Sequence, residues 1–275
     1  MGFRRPQIWG VVNLTADSFS DGGRYLDTRD ALAHARRLRE EGADVIDLGP
    51  ASSHPDAEPV APEEEIRRLE PVVEALLADG IPVSVDSFQS ATQTWALGCG
   101  VSTLNDVRGF ANPEIWPELA RSGARLVLMH SIRAAGAATR ERSDPDAILA
   151  AVDAFFAERV GALEAAGVSR DRLVLDPGMG FFLGDTPEPS LRVLAALEQL
   201  RARHGLPLLV CVSRKSFLGG LTGATVAERG PATLAAELWA ARHGIDHLRT
   251  HDVRALRDAL SVESALQSEK AGDRA

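Results

Sequence analysis

Residues 172–184 read RLVLDPGMGFFLG, an apolar run that ends on Asp176 and then turns through three closely spaced glycines. A run that is apolar at successive positions suits a strand buried on both faces, as in a parallel sheet, and sets the acid at the strand's carboxyl end. The same order, apolar first and polar last, recurs at Val45 to Asp47 (VID), Val83 to Asp86 (VSVD), Thr103 to Asp106 (TLND) and Leu126 to His130 (LVLMH). Repetition of this arrangement predicts one polar site assembled from many strand ends.

Working outward, strand-like runs fall near 7–13, 44–48, 82–86, 102–106, 125–130, 172–176, 207–212 and 246–250, each followed by a helix-like stretch. Ala147, Ile148, Ala151, Val152, Phe155 and Phe156 show the three- and four-residue spacing of a helix laid against a sheet. Eight β-then-α units in a chain of 275 residues predict an α/β fold, a closed (β/α)8 TIM barrel forming a single domain over 1–275, with 268–275 a frayed tail. An open doubly wound sheet is the competing architecture. The long loops follow the first, second, fifth, sixth and seventh strands, so they gather at the carboxyl face, where barrel active sites lie.

A net charge of −9 argues against a nucleic-acid or anionic-membrane partner, and acids and arginines alternate along presumed helices such as 63–74 as on a solvated face. Two cysteines, Cys99 and Cys211, suggest neither a disulfide framework nor a zinc cluster and fit a reducing cytoplasm. No run approaches the ~20 apolar residues of a membrane span, and the start MGFRRPQIW lacks a secretory apolar region.

Asn13 ends the first strand and opens NLTADSFSDGG, a segment rich in hydroxyls, acids and glycine that can fold over a ligand. Asp86, Asn105 and Asp176 end the third, fourth and sixth strands; carboxylates and an amide together read the donor and acceptor edge of a polar heterocycle and stabilise positive charge. At about 5 Å and an effective dielectric of about 20, one carboxylate contributes on the order of 3 kcal/mol, roughly a hundredfold in rate. SRKS, Ser213 to Ser216, brings the cation Lys215 and hydroxyls to the same face, and Arg249 with His251 follows at the end of the eighth strand, where barrels commonly hold phosphate. Arg249 offers a planar fork and His251 a donor that can be charged near neutral pH. Read singly, each of these is as well explained by a cap or a surface ion pair; the set is what points to a site. His34, His204, His243 and His247 read as structural. Neither SRKS nor GMGFFLG matches a phosphate loop or a dinucleotide fingerprint, and no histidine pattern predicts a transition metal; Mg2+ held by one side chain and a substrate phosphate is compatible.

In order along the chain, NLTADSFSDGG, GADVIDLGPASSHPDAEPV, VSVDS, LNDVRGF, LMH, LDPGMGF, VSRKSFLGGLTG and RTHDV resemble the dihydropteroate synthases. The resemblance implies a (β/α)8 barrel that joins 6-hydroxymethyl-7,8-dihydropterin diphosphate to p-aminobenzoate and releases diphosphate, as a homodimer using Mg2+. It further implies that Asp86, Asn105, Asp176 and Lys215 bind the pterin and serve catalysis, with Asp47 and Met129 nearby. Asn13 would hold Mg2+ and diphosphate, Arg249 and His251 would grip the diphosphate, and Ser53, Pro55, Phe181, Ser213 and Lys215 would line the p-aminobenzoate side.

The departures are as informative. Ala16 stands where the family has proline; Ser53 and His54 stand where its second loop, GGESTRPG, has Thr and Arg; and Phe181-Phe182-Leu183 replaces Phe-Gly-Lys. Losing the Arg removes a permanent bidentate phosphate donor. These changes, with MHSIR after the fifth strand, resemble the sulfonamide-insensitive branch, and imply that Phe181 and the altered second loop exclude a drug bulkier than the substrate. Two other readings stand beside this one: a pterin-binding methyltransferase domain, and a catalytically silent pterin-binding barrel.

Overall fold

A computed structural model describes residues 3–15, 28–52, 54, 56–133, 138 and 140–272. Eight strands form one parallel sheet: β1 (Gln7–Asn13), β2 (Val45–Gly49), β3 (Val83–Asp86), β4 (Thr103–Asp106), β5 (Arg125–Met129), β6 (Leu173–Asp176), β7 (Leu209–Val210) and β8 (His247–Thr250). Their order, β6-β5-β4-β3-β2-β1-β8-β7, runs around the sheet, and the bridge between Leu175 and Leu208, with Leu175 N–H donating to Pro207 O at 2.9 Å, joins its two ends. The sheet closes, so the barrel reading holds and the open sheet does not.

The helices between strands are α1 (Thr28–Glu41), α2 (Pro62–Ala78), α3 (Ser90–Cys99), α4 (Trp116–Arg121) and α5 (Ile148–Ala165), then α6 (Pro187–Ala195), α7 (Leu197–His204), α8 (Ser216–Thr222), α9 (Gly230–Arg242) and α10 (Val253–Gly272). Two units carry two helices each, which periodicity alone did not separate. The last helix runs to Gly272, past the predicted frayed end at Ser268. Side-chain bonds one turn apart, Gln267 to Glu263 Oε1 at 2.9 Å and Ser268 Oγ to Ser264 O at 3.0 Å, support it as far as Ser268. Among the described residues no helix is long and apolar enough to cross a membrane.

Two-residue alternation divides each strand between two cores. Ile8, Ile46, Leu48, Val83, Val85, Leu104, Leu126 and Leu173 face the helices in one large cluster, whereas Trp9, Val45, Val127, Val174 and Leu209 form a separate one that fills the lumen. That apolar plug occupies the lower lumen. Continuing the same inward register brings Asp47, Asp86, Asn105, Met129, Asp176 and Arg249 above it, toward the carboxyl ends of the strands.

Candidate active site

The turn after β6 shows how the backbone is spent on the site. Gly178 has φ 73, and a Cβ there would stand 2.4 Å from His130 O, so only glycine lets the chain reverse beside β5. Its N–H donates to Asp176 Oδ1 at 2.8 Å, fixing the carboxylate that ends the strand.

Across the lumen, Arg249 joins two other strands. Its Nε donates to Asp47 Oδ2 at 2.5 Å and its Nη2 to Asp86 Oδ2 at 2.7 Å. Arg249 was expected at the rim with His251; it lies largely buried between two carboxylates, and its fork is already engaged. A cation between two acids lets both approach one cavity without mutual repulsion.

Asp86 and Asp176 are both drawn upward from the ordinary carboxylate range by burial, to about 7 and about 6, with Arg249 and Lys215 pulling the other way. Beside them Asn105 is 1% exposed, and neither Oδ1 nor Nδ2 has a hydrogen-bond partner among the described residues; Asp47 Oδ1 is in the same condition. Buried amides and carboxylate oxygens are rarely left unpaired, because each forgoes about 1–3 kcal/mol of solvation. A ligand that offers donors and an acceptor to this edge resolves all three.

Ser213 and His251 meet: Ser213 Oγ lies 2.9 Å from His251 Nδ1 and accepts the His251 N–H at 3.2 Å. Burial, then Arg214, Arg249 and Lys215, depress the imidazole to about 3. These surroundings favour the neutral imidazole, whereas the sequence reading had His251 able to be charged near neutral pH. Lys215 caps α8, its Nζ 4.9 Å from the centroid of the Phe182 ring. Phe182 packs with Met129, Val107 and Ala138, and Phe181 and Phe88 lie against that cluster, forming an apolar wall beside the polar edge.

Asn13 is exposed at the end of β1, its Oδ1 beside Gly49, where a Cβ would stand in ordinary contact at 3.4 Å. Ser53 and Pro55 lie outside the described residues, as does the first loop from Ala16. His54 is exposed, edge-on to Phe181 at 6.2 Å, with Asp56 N–H donating to its Nδ1 at 3.3 Å.

Sequence reasoning gave Asp56 and Arg140 no role. Arg140 donates to both oxygens of Asp56, at 2.8 and 2.5 Å, and its guanidinium lies 5.8 Å from the centroid of Phe181. The pair ties the loop after β2 to the loop after β5 over the wall. Its members are 84 positions apart, and nothing in either local sequence signals the other. The histidines read as structural behave so in three cases: His204 bonds Asp153 at 2.9 Å, His243 stacks on Trp239, and His247 leans on Trp9 inside the barrel. His34 accepts from Arg37 on α1, and Arg214 also acts on it.

The profile of a family described as pterin binding enzymes matches residues 9–251. A type-2 dihydropteroate synthase of Escherichia coli is 58% identical over 260 residues, covering 94% of this chain and 96% of that one. Among solved structures, Xanthomonas albilineans dihydropteroate synthase with 4-aminobenzoic acid superposes with a TM-score of 0.88 at 40% identity, covering 96% of this chain and 94% of that one. The same enzyme in complex with 7,8-dihydropteroate gives 0.84 at 38% identity, covering 97% and 95%. A barrel whose lumen pairs unsatisfied amide and carboxylate groups with a buried arginine, and a match that spans nearly the whole chain, lead to one assignment: the chain belongs to the pterin-binding enzyme family, among its dihydropteroate synthases.

Proposed function

We propose that this protein condenses 6-hydroxymethyl-7,8-dihydropterin diphosphate with p-aminobenzoate to give 7,8-dihydropteroate and diphosphate. The observation that carries this reading is the unpaired buried edge of Asn105 and Asp47 beside Asp86 and Asp176. A pterin ring presents donors and acceptors along one side and satisfies such an edge. Lys215 contributes a further donor to it.

The bond between the pterin methylene carbon and the diphosphate oxygen breaks, and its electron pair leaves on diphosphate. The positive charge that develops on the pterin is stabilised by the carboxylates of Asp86 and Asp176. The p-aminobenzoate nitrogen then forms the new C–N bond with its lone pair and loses a proton to solvent. Catalysis is electrostatic and positional, with no covalent enzyme intermediate required.

Asn13, Arg249 and His251 meet the diphosphate on this reading. Asn13 Oδ1, an exposed hard oxygen donor, would hold Mg2+ here together with oxygens of the diphosphate. When bound, the ion neutralises charge on the leaving diphosphate.

Phe181 and Ser213 line the p-aminobenzoate side. Phe181, held beneath His54 and Arg140, limits the space beyond the substrate's outline, so a sulfonamide with a bulkier tail is disfavoured there. Discrimination of ~2–3 kcal/mol corresponds to roughly 30- to 150-fold.

The homodimer belongs to the same reading. Leu191 on α6, Leu221 on α8, Val226 in the turn between α8 and α9, and Trp239 on α9 are exposed, and on this reading they offer apolar side chains to a second copy. A cytoplasmic setting accords with Cys99 and Cys211 as free thiols, and the net charge of −9 with the absence of a nucleic-acid role.

The test is turnover by purified protein given both substrates and Mg2+, followed as dihydropteroate formation. Activity is expected, lost with EDTA and restored by Mg2+. Pterin binding without product would instead establish a silent barrel.

A further inference from the structure

The turn that carries Ser213 and Lys215 into the site holds a backbone conformation that its own residue disfavours. Arg214 has φ 58, one of two non-glycine residues with positive φ among the described residues. An L side chain in this region is strained, and such strain persists only where the surroundings hold it.

Two residues flanking the start of α9 supply the hold. Thr233, buried behind the turn, accepts the Arg214 N–H on Oγ1 at 3.1 Å, while Arg229 Nη1 donates to Arg214 O at 2.9 Å. Arg229 Nε also donates to Ala224 O at 3.3 Å, tying the guanidinium to the loop after α8. A Cβ on Gly219 would stand 2.4 Å from Arg229 Nη2, so a glycine on α8 is what lets the guanidinium lie there. Both backbone polar groups of Arg214 are therefore fastened from outside the site.

The consequence appears on either side of the fastened residue. Ser213 turns its Oγ to His251 at 2.9 Å, and Lys215 starts α8 with its Nζ over Phe182. Release of Arg214 to ordinary negative φ changes the chain direction between those two groups, and they no longer address one cavity.

We propose that Thr233 and Arg229 are positioning residues of this enzyme: together they clamp Arg214 in the left-handed conformation that aims Ser213 and Lys215 at the substrates. The inference rests on the proposed reaction for its kinetic readout. It has a second readout in pterin binding alone.

The experiment compares Thr233→Val, Thr233→Ser and Arg229→Ala, measuring KM for the pterin diphosphate, the Kd of the pterin by its fluorescence, and Tm. Thr233→Val is expected to raise KM and Kd about ten-fold, equivalent to about 1.4 kcal/mol. Thr233→Ser keeps the acceptor and stays near wild type. The decisive variant is Arg214→Gly placed in the Thr233→Val background: glycine takes positive φ without strain, so most of the lost affinity returns. Arg229→Ala gives the same reading should Thr233→Val not fold. A lowered Tm with unchanged KM and Kd, or affinity that Arg214→Gly does not recover, overturns the clamp. An inactive wild type that still binds pterin removes the proposed reaction, and Kd then judges the clamp by itself.

Discussion

Single residues set the charge state on which the chemistry depends. Burial raises Asp86 to about 7 and Asp176 to about 6, yet both must be ionised to stabilise a cation. For an acid with a raised pKa, the anion is lost as pH falls through that raised value. The expected pH profile of kcat/KM therefore has an acidic limb between about pH 6 and 7, with a plateau above it. A flat profile from pH 5.5 to 8 would show that neither carboxylate acts as proposed. Asp176→Asn keeps the shape and removes the charge, so turnover is expected to fall on the order of a hundredfold, the Coulomb contribution of one carboxylate near 5 Å.

Elements and their loops decide what the site admits. The loops after β2, β5 and β6 are fastened to one another, by Arg140 on Asp56, by Ser143 Oγ on Leu183 O, and by Ile132 N–H donating to Phe182 O at 3.0 Å. Arg140 and Asp56 are both exposed, and exposed pairs contribute little to global stability, so Arg140→Ala should leave Tm unchanged. Its effect belongs to Phe181, which loses a neighbour and gains freedom to move outward. The inhibition constant for sulfamethoxazole is expected to drop several-fold in Arg140→Ala while KM for p-aminobenzoate holds. Parallel changes in both constants, or none in either, would dissociate the strap from drug exclusion. Phe181→Gly isolates the ring itself and should weaken exclusion further.

At the scale of the whole molecule, closure of the barrel joins strands far apart in sequence, and the proposed homodimer concerns the helices outside it. Leu191, Leu221, Val226 and Trp239 are 40–55% exposed, and on the proposed reading a second copy covers them. Light scattering is expected to give a mass twice the 29.4 kDa of one chain. Leu221→Glu, placed on the uncovered side of α8, should return it to the monomer. A monomeric wild type would dismiss the homodimer.

The order of apolar and polar residues was enough to locate seven strands within about a residue of their ends, and to place Asp86, Asn105 and Asp176 at one mouth. The eighth run was located too, although β7 is only Leu209–Val210 as a strand. These features are local: alternation and strand-end position depend on neighbours a few residues away. Motifs did the same for family membership, because NLTADSFSDGG, LDPGMGF and VSRKS each lie within one continuous segment. What only the tertiary structure decided are the pairings across it. Arg249 lies 202 positions from Asp47 and 163 from Asp86, and its burial between them emerges when the sheet closes. The depressed His251, the Asp56–Arg140 strap and the fastening of Arg214 have the same origin. Electrostatics and burial act through space, and the spatial neighbours of a residue exist only once the chain has folded.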